Sequence, residues 1–243
     1  TKTFLWILKY DFLMNLELYT KIKIYFLYLF SLKDKKFFKF LLDNIRFSKS
    51  QVYQDLFVIY YSKFKKKGIF IEIGGGNGKT ISNTYLHEKK YKWKGIICEP
   101  VRRLQKQIKS IRKAKLEKRP IGKFSKKNVY FYENNDPYQS STKLSKNTII
   151  KYTTDTVSLN DLIKHYKLKK EIDYISIDTE GNEIDIVKSF NFKKYKVKFF
   201  TIEHNFDNSK REKIFKIMTK NKFKRVFTNL SYMDDWYVNQ NIY

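Results

Sequence analysis

The sequence predicts an α/β fold: a mostly parallel seven-stranded sheet with helices on both faces, preceded by an N-terminal helical extension. Three observations carry this expectation. From Ser50 onward, short runs of β-branched and aromatic residues alternate with segments of helical period, as parallel strands joined by crossover helices require. A glycine cluster, GGGNG at 74–78, follows one of these runs directly, at a strand-to-helix turn. Residues 1–49 differ from all that follows, being apolar, aromatic and helical in spacing, with lysines throughout. The 243 residues therefore read as an extension over 1–49 and one α/β domain over 50–243, large enough to bury a core without disulfides or metal.

In the extension, the longest uncharged run, Ile24 to Leu32, is well short of the ~20 residues of a membrane-spanning helix, and the segment lacks a small-residue cleavage site. Helices packed against the main domain are expected. The alternative is an amphipathic helix lying on a membrane, with Lys21, Lys23, Lys33, Lys35, Lys36 and Lys39 near the headgroups. Strands are expected near 69–73 (IFIEI), 95–98 (GIIC), 128–132 (NVYFY), 172–178 (IDYISID), 197–202 (VKFFTI), 223–228 and 235–239, with helices between them. Runs such as IFIEI and VKFFTI are apolar on both faces, the signature of strands covered on both sides. SLND from Ser158 and SKRE from Ser209 read as helix N-caps, each Ser oxygen accepting from an amide two or three residues on. Residues 119–147 are polar, carry Pro120 and Pro137, and read as long loops. No internal repeat is visible.

The formal net charge of +27 suggests nucleic acid or an anionic membrane as partner. Basic residues are spread along the whole chain, however, and are mostly Lys, while Ala114 is the only alanine. A/T-rich codons produce that pattern, so the charge names no partner: nucleic acid stays possible but is not favoured. Cys98 is the only cysteine, which excludes an intramolecular disulfide and fits a reducing, cytoplasmic location, with membrane contact at the cytoplasmic face through residues 1–49 as the variant. Nothing in the sequence sets the oligomeric state.

The register of the glycines separates three chemistries. A phosphate-binding G-x-x-x-x-G-K-[ST] loop would match Gly78-Lys79-Thr80 but needs glycine at position 73, which is Ile73. The dinucleotide pattern G-x-G-x-x-G would need glycine at position 79, which is Lys79. The register that fits is acidic-x-G-x-G-x-G, with Glu72, Gly74, Gly76 and Gly78 at every second position. This is the loop that receives S-adenosyl-L-methionine, where glycines let backbone approach the amino-acid and ribose portions. Asn77 belongs to the same loop. Glu72 is positioned for the methionine ammonium, and Glu99, ending the next strand in GIICEP, for both ribose hydroxyls. A P-loop-like nucleotide-binding protein remains the alternative, since YISIDTE resembles the metal-binding strand of such proteins.

With these segments in place, the chain from about residue 50 to its end resembles the FkbM family of S-adenosylmethionine-dependent methyltransferases. SQVYQDLFV (50–58) resembles the family's lead-in to the first strand, GIFIEIGGGNGKTISNTYLHE its cofactor loop and first helix, and WKGIICEP its second strand. VSLNDLI (157–163), IDYISIDTEGNEIDIVKSF (172–190) and IEHN (202–205) resemble its distal block. The resemblance implies a Rossmann-like methyltransferase fold, S-adenosyl-L-methionine as cofactor, and O-methylation of a sugar, glycan or related small molecule. The lysine content and the extension depart from the family pattern and leave the acceptor open. Within the methyltransferases, NDPY at 135–138 partly matches the base-methylating [DNS]-P-P-[YFW], which keeps a nucleic-acid acceptor as the alternative.

The block D-x-E-G-x-E places Asp178, Glu180, Gly181 and Glu183 at the carboxyl end of a central strand, where open α/β sheets bind their ligands. An alcohol acceptor must lose its proton, and the candidate catalytic groups by position are Asp178, Glu180 and His204, with His204 as base and Asp178 orienting cofactor or acceptor. Glu183 is expected only to favour the N-terminus of the next helix. His87 and His165 read as packing or surface residues. Asp178, Glu203 and His204 lack a distinctive metal spacing, and no metal is expected.

Overall fold

In a computed structural model, residue 18, residues 21–29 and residues 34–241 are described. They fall into two compact units, divided between Ser48 and Lys49. In the first, residues 21–29 are helical, and a second helix, α1 (Lys35–Asn44), ends in a single 3-10 turn, Ile45–Phe47. Ile22, Tyr25, Phe26 and Leu29 are exposed along one stripe of the first helix, and Ile24 is buried. The helical reading of residues 1–17, 19–20 and 30–33 lies outside the described residues. Among those described, no helix is long and apolar enough to cross a membrane.

In the second unit α2 (Gln54–Tyr61) leads into β1 (Ile69–Ile73), α3 (Tyr85–Tyr91), β2 (Lys94–Cys98), α4 (Arg102–Ile111) and β3 (Lys115–Glu117). Then come β4 (Ile121–Gly122), β5 (Val129–Asn134), β6 (Thr148–Thr154), β7 (Val157–Ser158) and α5 (Leu159–His165). The chain closes with β8 (Glu171–Ile177), α6 (Glu183–Ser189), β9 (Lys196–Glu203), α7 (Asn208–Lys220), β10 (Phe223–Val226) and β11 (Asp234–Asn239). The main sheet has seven strands in the order β3-β2-β1-β8-β9-β11-β10. Six strands run in one direction; β11 is antiparallel to both of its neighbours. The chain builds outward from β1 to β3, then returns to place β8 on the other side of β1. The strand order therefore reverses between β1 and β8, and the crevice outside their carboxyl ends is the binding position of such sheets.

The alternation of side chains sorts two layers. Ile71, Ile73, Ile175, Ile177, Phe200 and Ile202 face the apolar sides of α5, α6 and α7 in the main core. On the opposite face Phe57 of α2 stacks on Trp236 at 4.8 Å and meets Phe199 edge-on at 6.0 Å, while His87 of α3 lies 5.5 Å from Tyr174.

Seven strands are found as expected, but one member differs. The expected strand near 128–132 exists as β5, yet it pairs with β6 as a separate two-stranded hairpin; the seventh place in the main sheet belongs to β3. The loop region expected over 119–147 likewise holds β4, which pairs with β7. Ser158 caps α5 as expected, accepting from Asp161 N at 3.1 Å. Ser209 does not cap α7. Asp207 does, because its backbone is extended (φ −76, ψ 103) and its carboxylate reaches Lys210 N at 3.0 Å.

Candidate active site

β1 ends in the glycine loop, which is pinned to its neighbours by backbone bonds. Gly74 N and Gly75 N donate to Cys98 O at 3.0 and 3.2 Å, and Asp178 N donates to Ile73 O at 3.0 Å. Gly74, Gly76 and Gly78 have φ of 85, 53 and 79, a region that favours glycine, and a Cβ on Gly74 would collide with Asp178 O. The loop thus requires glycine in the register read from the sequence.

Glu99, one residue past β2, is buried against the glycine loop. Its Oε2 accepts from Gly76 N at 2.7 Å and its Oε1 from Val101 N at 2.8 Å. Each oxygen keeps a free lone pair. Burial, opposed by those two amides, pushes its pKa up to about 8. Glu72 behaves differently. Its oxygens accept from Ser82 Oγ (2.9 and 3.1 Å), Asn83 N (2.6 Å) and Thr84 Oγ1 (2.6 Å). Arg112 completes this knot, pairing with Glu72 at 3.5 Å and Glu88 at 3.2 Å and donating to Gly78 O at 2.9 Å and Thr84 Oγ1 at 2.8 Å. Asn77 Oδ1 accepts from Lys79 N at 2.9 Å and Thr80 N at 2.8 Å, so it too shapes the loop.

Across the switch point the turn after β8 gathers carboxylates. One oxygen each of Asp178, Glu183 and Glu203 lies within 4.8 Å of the others. Lys210 from α7 supplies the cation here, 2.7 Å from Glu183 and 3.8 Å from Glu203. Glu183 also accepts from Thr179 N at 2.9 Å and Gly181 N at 3.0 Å, holding the turn. Asp234, opening β11 opposite Glu203, is tied to α2 by Gln54 Nε2 at 2.7 Å. Crowding and burial raise several of these acids: Asp178 is raised by burial first and by Glu203 next, Glu180 by burial and Glu183, Glu203 to about 8 by burial and Glu180, and Asp234 to about 7 by burial. Glu203 Oε2 has no hydrogen bond.

A family model described as the methyltransferase FkbM domain matches residues 72–235. The chain belongs to the FkbM methyltransferase family. Similar solved structures include a Pyrococcus horikoshii protein named as an RNA methyltransferase, 11% identical over 72% of this chain and 70% of that one, with a TM-score of 0.38. Another is the Methanococcus jannaschii fibrillarin pre-rRNA processing protein, 12% identical over 72% of this chain and 66% of that one, with the same TM-score. A search among curated proteins finds no match. The sheet order and its antiparallel β11 are those of the Rossmann-like methyltransferase fold.

This FkbM chain brings Gly74 against Asp178 and Gly76 against Glu99, with Gly78 packed on α4 and Glu180 half-buried on the turn after β8. Glu72, in β1, and Asn77, within the loop, are each engaged by hydrogen bonds from the protein itself. His204 is buried beside Phe206, and its Nδ1 accepts from Phe206 N at 3.2 Å while Nε2 has no partner. Burial lowers its pKa, with Asp235 opposing and Arg211 adding. His87 is a packing residue, fully buried against Trp93, its pKa lowered to about 3 by burial first and Arg112 next. NDPY falls in the β5–β6 connection rather than after β8. Sequence reasoning missed Arg112, Lys210 and Asp234, and weighed Glu203 only as a metal ligand. The one available signal was the acid pair Asp234-Asp235 opening the last strand.

Proposed function

We propose that the protein is an S-adenosylmethionine-dependent O-methyltransferase whose acceptor is a hydroxyl of a sugar, glycan or related small molecule. The observation that carries this reading is Glu99: a buried carboxyl group at the end of β2 beside the glycine loop, held by two backbone amides, with one lone pair left on each oxygen for a pair of ribose hydroxyls. The glycine loop beside it fits a ligand that needs close backbone approach. When bound, S-adenosylmethionine supplies a methyl group on a sulfonium. Asp178, beside Gly74 and with no hydrogen bond to its carboxylate among the described residues, is suited to take the cofactor's ammonium. Glu72 has both oxygens engaged and serves instead to fix the loop.

The acceptor's proton needs a base. A neutral His204 that accepts at Nδ1 carries its proton on Nε2, so its unpartnered nitrogen is a donor. Charging it would place a cation near Arg211. The proton is better received by Glu203, which lies in the cluster with Asp178, has no hydrogen bond to its Oε2, and becomes a strong base once ionised. His204 then orients rather than deprotonates.

The acids Asp178, Glu180, Glu183, Glu203 and Asp234 gathered at the turn after β8 and beside it offer hydrogen-bond partners to the hydroxyls of a small acceptor, while the chain's +27 charge is spread along its length and marks no track for nucleic acid in this reading. The buried lone thiol of Cys98 fits the cytoplasmic location in this reading. The exposed stripe Ile22, Tyr25, Phe26 and Leu29 supports peripheral contact with the cytoplasmic membrane face. A methyl-transfer assay with labelled cofactor over sugars, glycolipids and RNA tests the acceptor class: label in a sugar or glycolipid is expected, and label in RNA alone would overturn it.

A further inference from the structure

The connection between β5 and β6 does more than close a hairpin. It leaves β5 at Asn134 and Asn135, whose carbonyls accept from the Arg103 guanidinium, and turns through a short 3-10 helix, Pro137–Gln139, capped by Asp136 Oδ1 accepting from Tyr138 N at 3.1 Å. It then reaches both turns that flank the switch point. On the β1 side the Tyr138 ring lies against Gly76: a Cβ on that glycine would stand 2.6 Å from Tyr138 Cε1. On the β8 side Lys143 Nζ donates to Gly181 O at 2.8 Å and Asn182 Nδ2 donates to Thr142 Oγ1 at 2.9 Å. A Cβ on Gly181 would stand 2.7 Å from Lys143 Nζ. Side chains of one segment therefore cover a glycine on each bank of the crevice.

Tyr138 is half-buried, and its phenol is raised by burial first, then by Asp136 and Glu99. It therefore sits beside the carboxylate assigned to the ribose. An aromatic face there suits both a flat base and a sulfonium, since a ring quadrupole attracts a cation held over it.

We infer that Tyr138 is a cofactor-contact residue carried on a strap, residues 135–144, which covers the cofactor beside the glycine loop and must lift for exchange. This rests on the S-adenosylmethionine reading of the site. The strap's ties to the β8 turn are few and polar, and each can be cut singly without touching Glu99 or the loop glycines.

Calorimetry on the intact chain with S-adenosylhomocysteine as probe, combined with amide hydrogen exchange, tests this. Binding should slow exchange over 135–144. Tyr138→Ala should weaken binding by about tenfold, the worth of one desolvated aromatic contact to a cation or base, while Tyr138→Phe keeps most of it. Lys143→Ala should speed dissociation in stopped flow. Equal or tighter binding by a folded Tyr138→Ala protein would make the ring a mere plug and overturn the inference while the cofactor reading stands. If Tyr138→Ala does not fold, unchanged exchange over 135–144 on adding the probe overturns it. A wild-type chain that binds neither S-adenosylhomocysteine nor S-adenosylmethionine overturns both.

Discussion

Glu99 and Glu72 sit at the carboxyl ends of neighbouring strands and have opposite fates. Both were legible as acids at the right spacing from the glycines. Only coordinates tell that Ser82, Asn83, Thr84 and Arg112 fill Glu72, because those partners come from a turn and from the end of α4, forty residues away in the case of Arg112. His204 was legible as a residue at a strand end, but its tautomer depends on the Phe206 amide, which no spacing rule reveals. Glu203→Gln is accordingly expected to cut methyl transfer to the acceptor found in the assay by about 10²–10⁴-fold with S-adenosylhomocysteine affinity unchanged, whereas His204→Gln stays within about tenfold. The reverse ranking would return the base to His204. The raised acids also set a pH dependence of stability. Glu99 and Glu203, each near 8, and Asp234, near 7, hold protons in the folded state that the unfolded chain has released above about pH 4.5. Their contribution is full below that pH and is lost as pH rises toward 8. The thermal midpoint should therefore fall from pH 5 to pH 8.5, less steeply in Glu203→Gln, and a midpoint that climbs over this range contradicts the assignment.

Among elements, the strands that could be read were those buried on both faces: IFIEI, GIIC, IDYISID and VKFFTI are nearly continuous in β-branched and aromatic residues. β3 escaped because three residues, Lys-Leu-Glu, at the edge of the sheet carry no period. β6 escaped because TIIKYTT is mostly exposed and finds its partner only across the strap. The cap of α7 was ambiguous in FDNSKRE, where Asp207 and Ser209 are both good cap residues; backbone conformation chose Asp207. The knot around Arg112 joins β1, the glycine loop, α3 and the end of α4 through one buried guanidinium whose side chain is fully covered. Arg112→Ala would leave Glu72 and Glu88 buried without their cation, at a cost of about 3–5 kcal/mol in chemical denaturation. Loss below about 1 kcal/mol would show that water or neighbouring groups replace the guanidinium.

For the whole molecule, the +27 charge and the acids at the switch point are distributed differently. The charge is spread along the chain, whereas Asp178, Glu183 and Glu203 gather in one cluster. The fold and the glycine loop were largely legible, since they rest on glycine register and strand periodicity; the acid cluster across from the loop was not, since its side chains and their partners are brought together from α2, the end of β8, α7, β9 and β11. The full-length chain is expected to bind anionic vesicles with an affinity that falls as salt rises, and a chain truncated to residues 49–243 to lose that binding. Equal vesicle binding by both would assign the attraction to general charge. The measurement that bears most directly on the central claim is calorimetric titration of the intact chain with S-adenosylmethionine, S-adenosylhomocysteine and ATP. Binding of the first two, weakened by about 1–3 kcal/mol in Glu99→Ala through lost hydrogen bonds, is predicted; binding of ATP with neither cofactor form would contradict it.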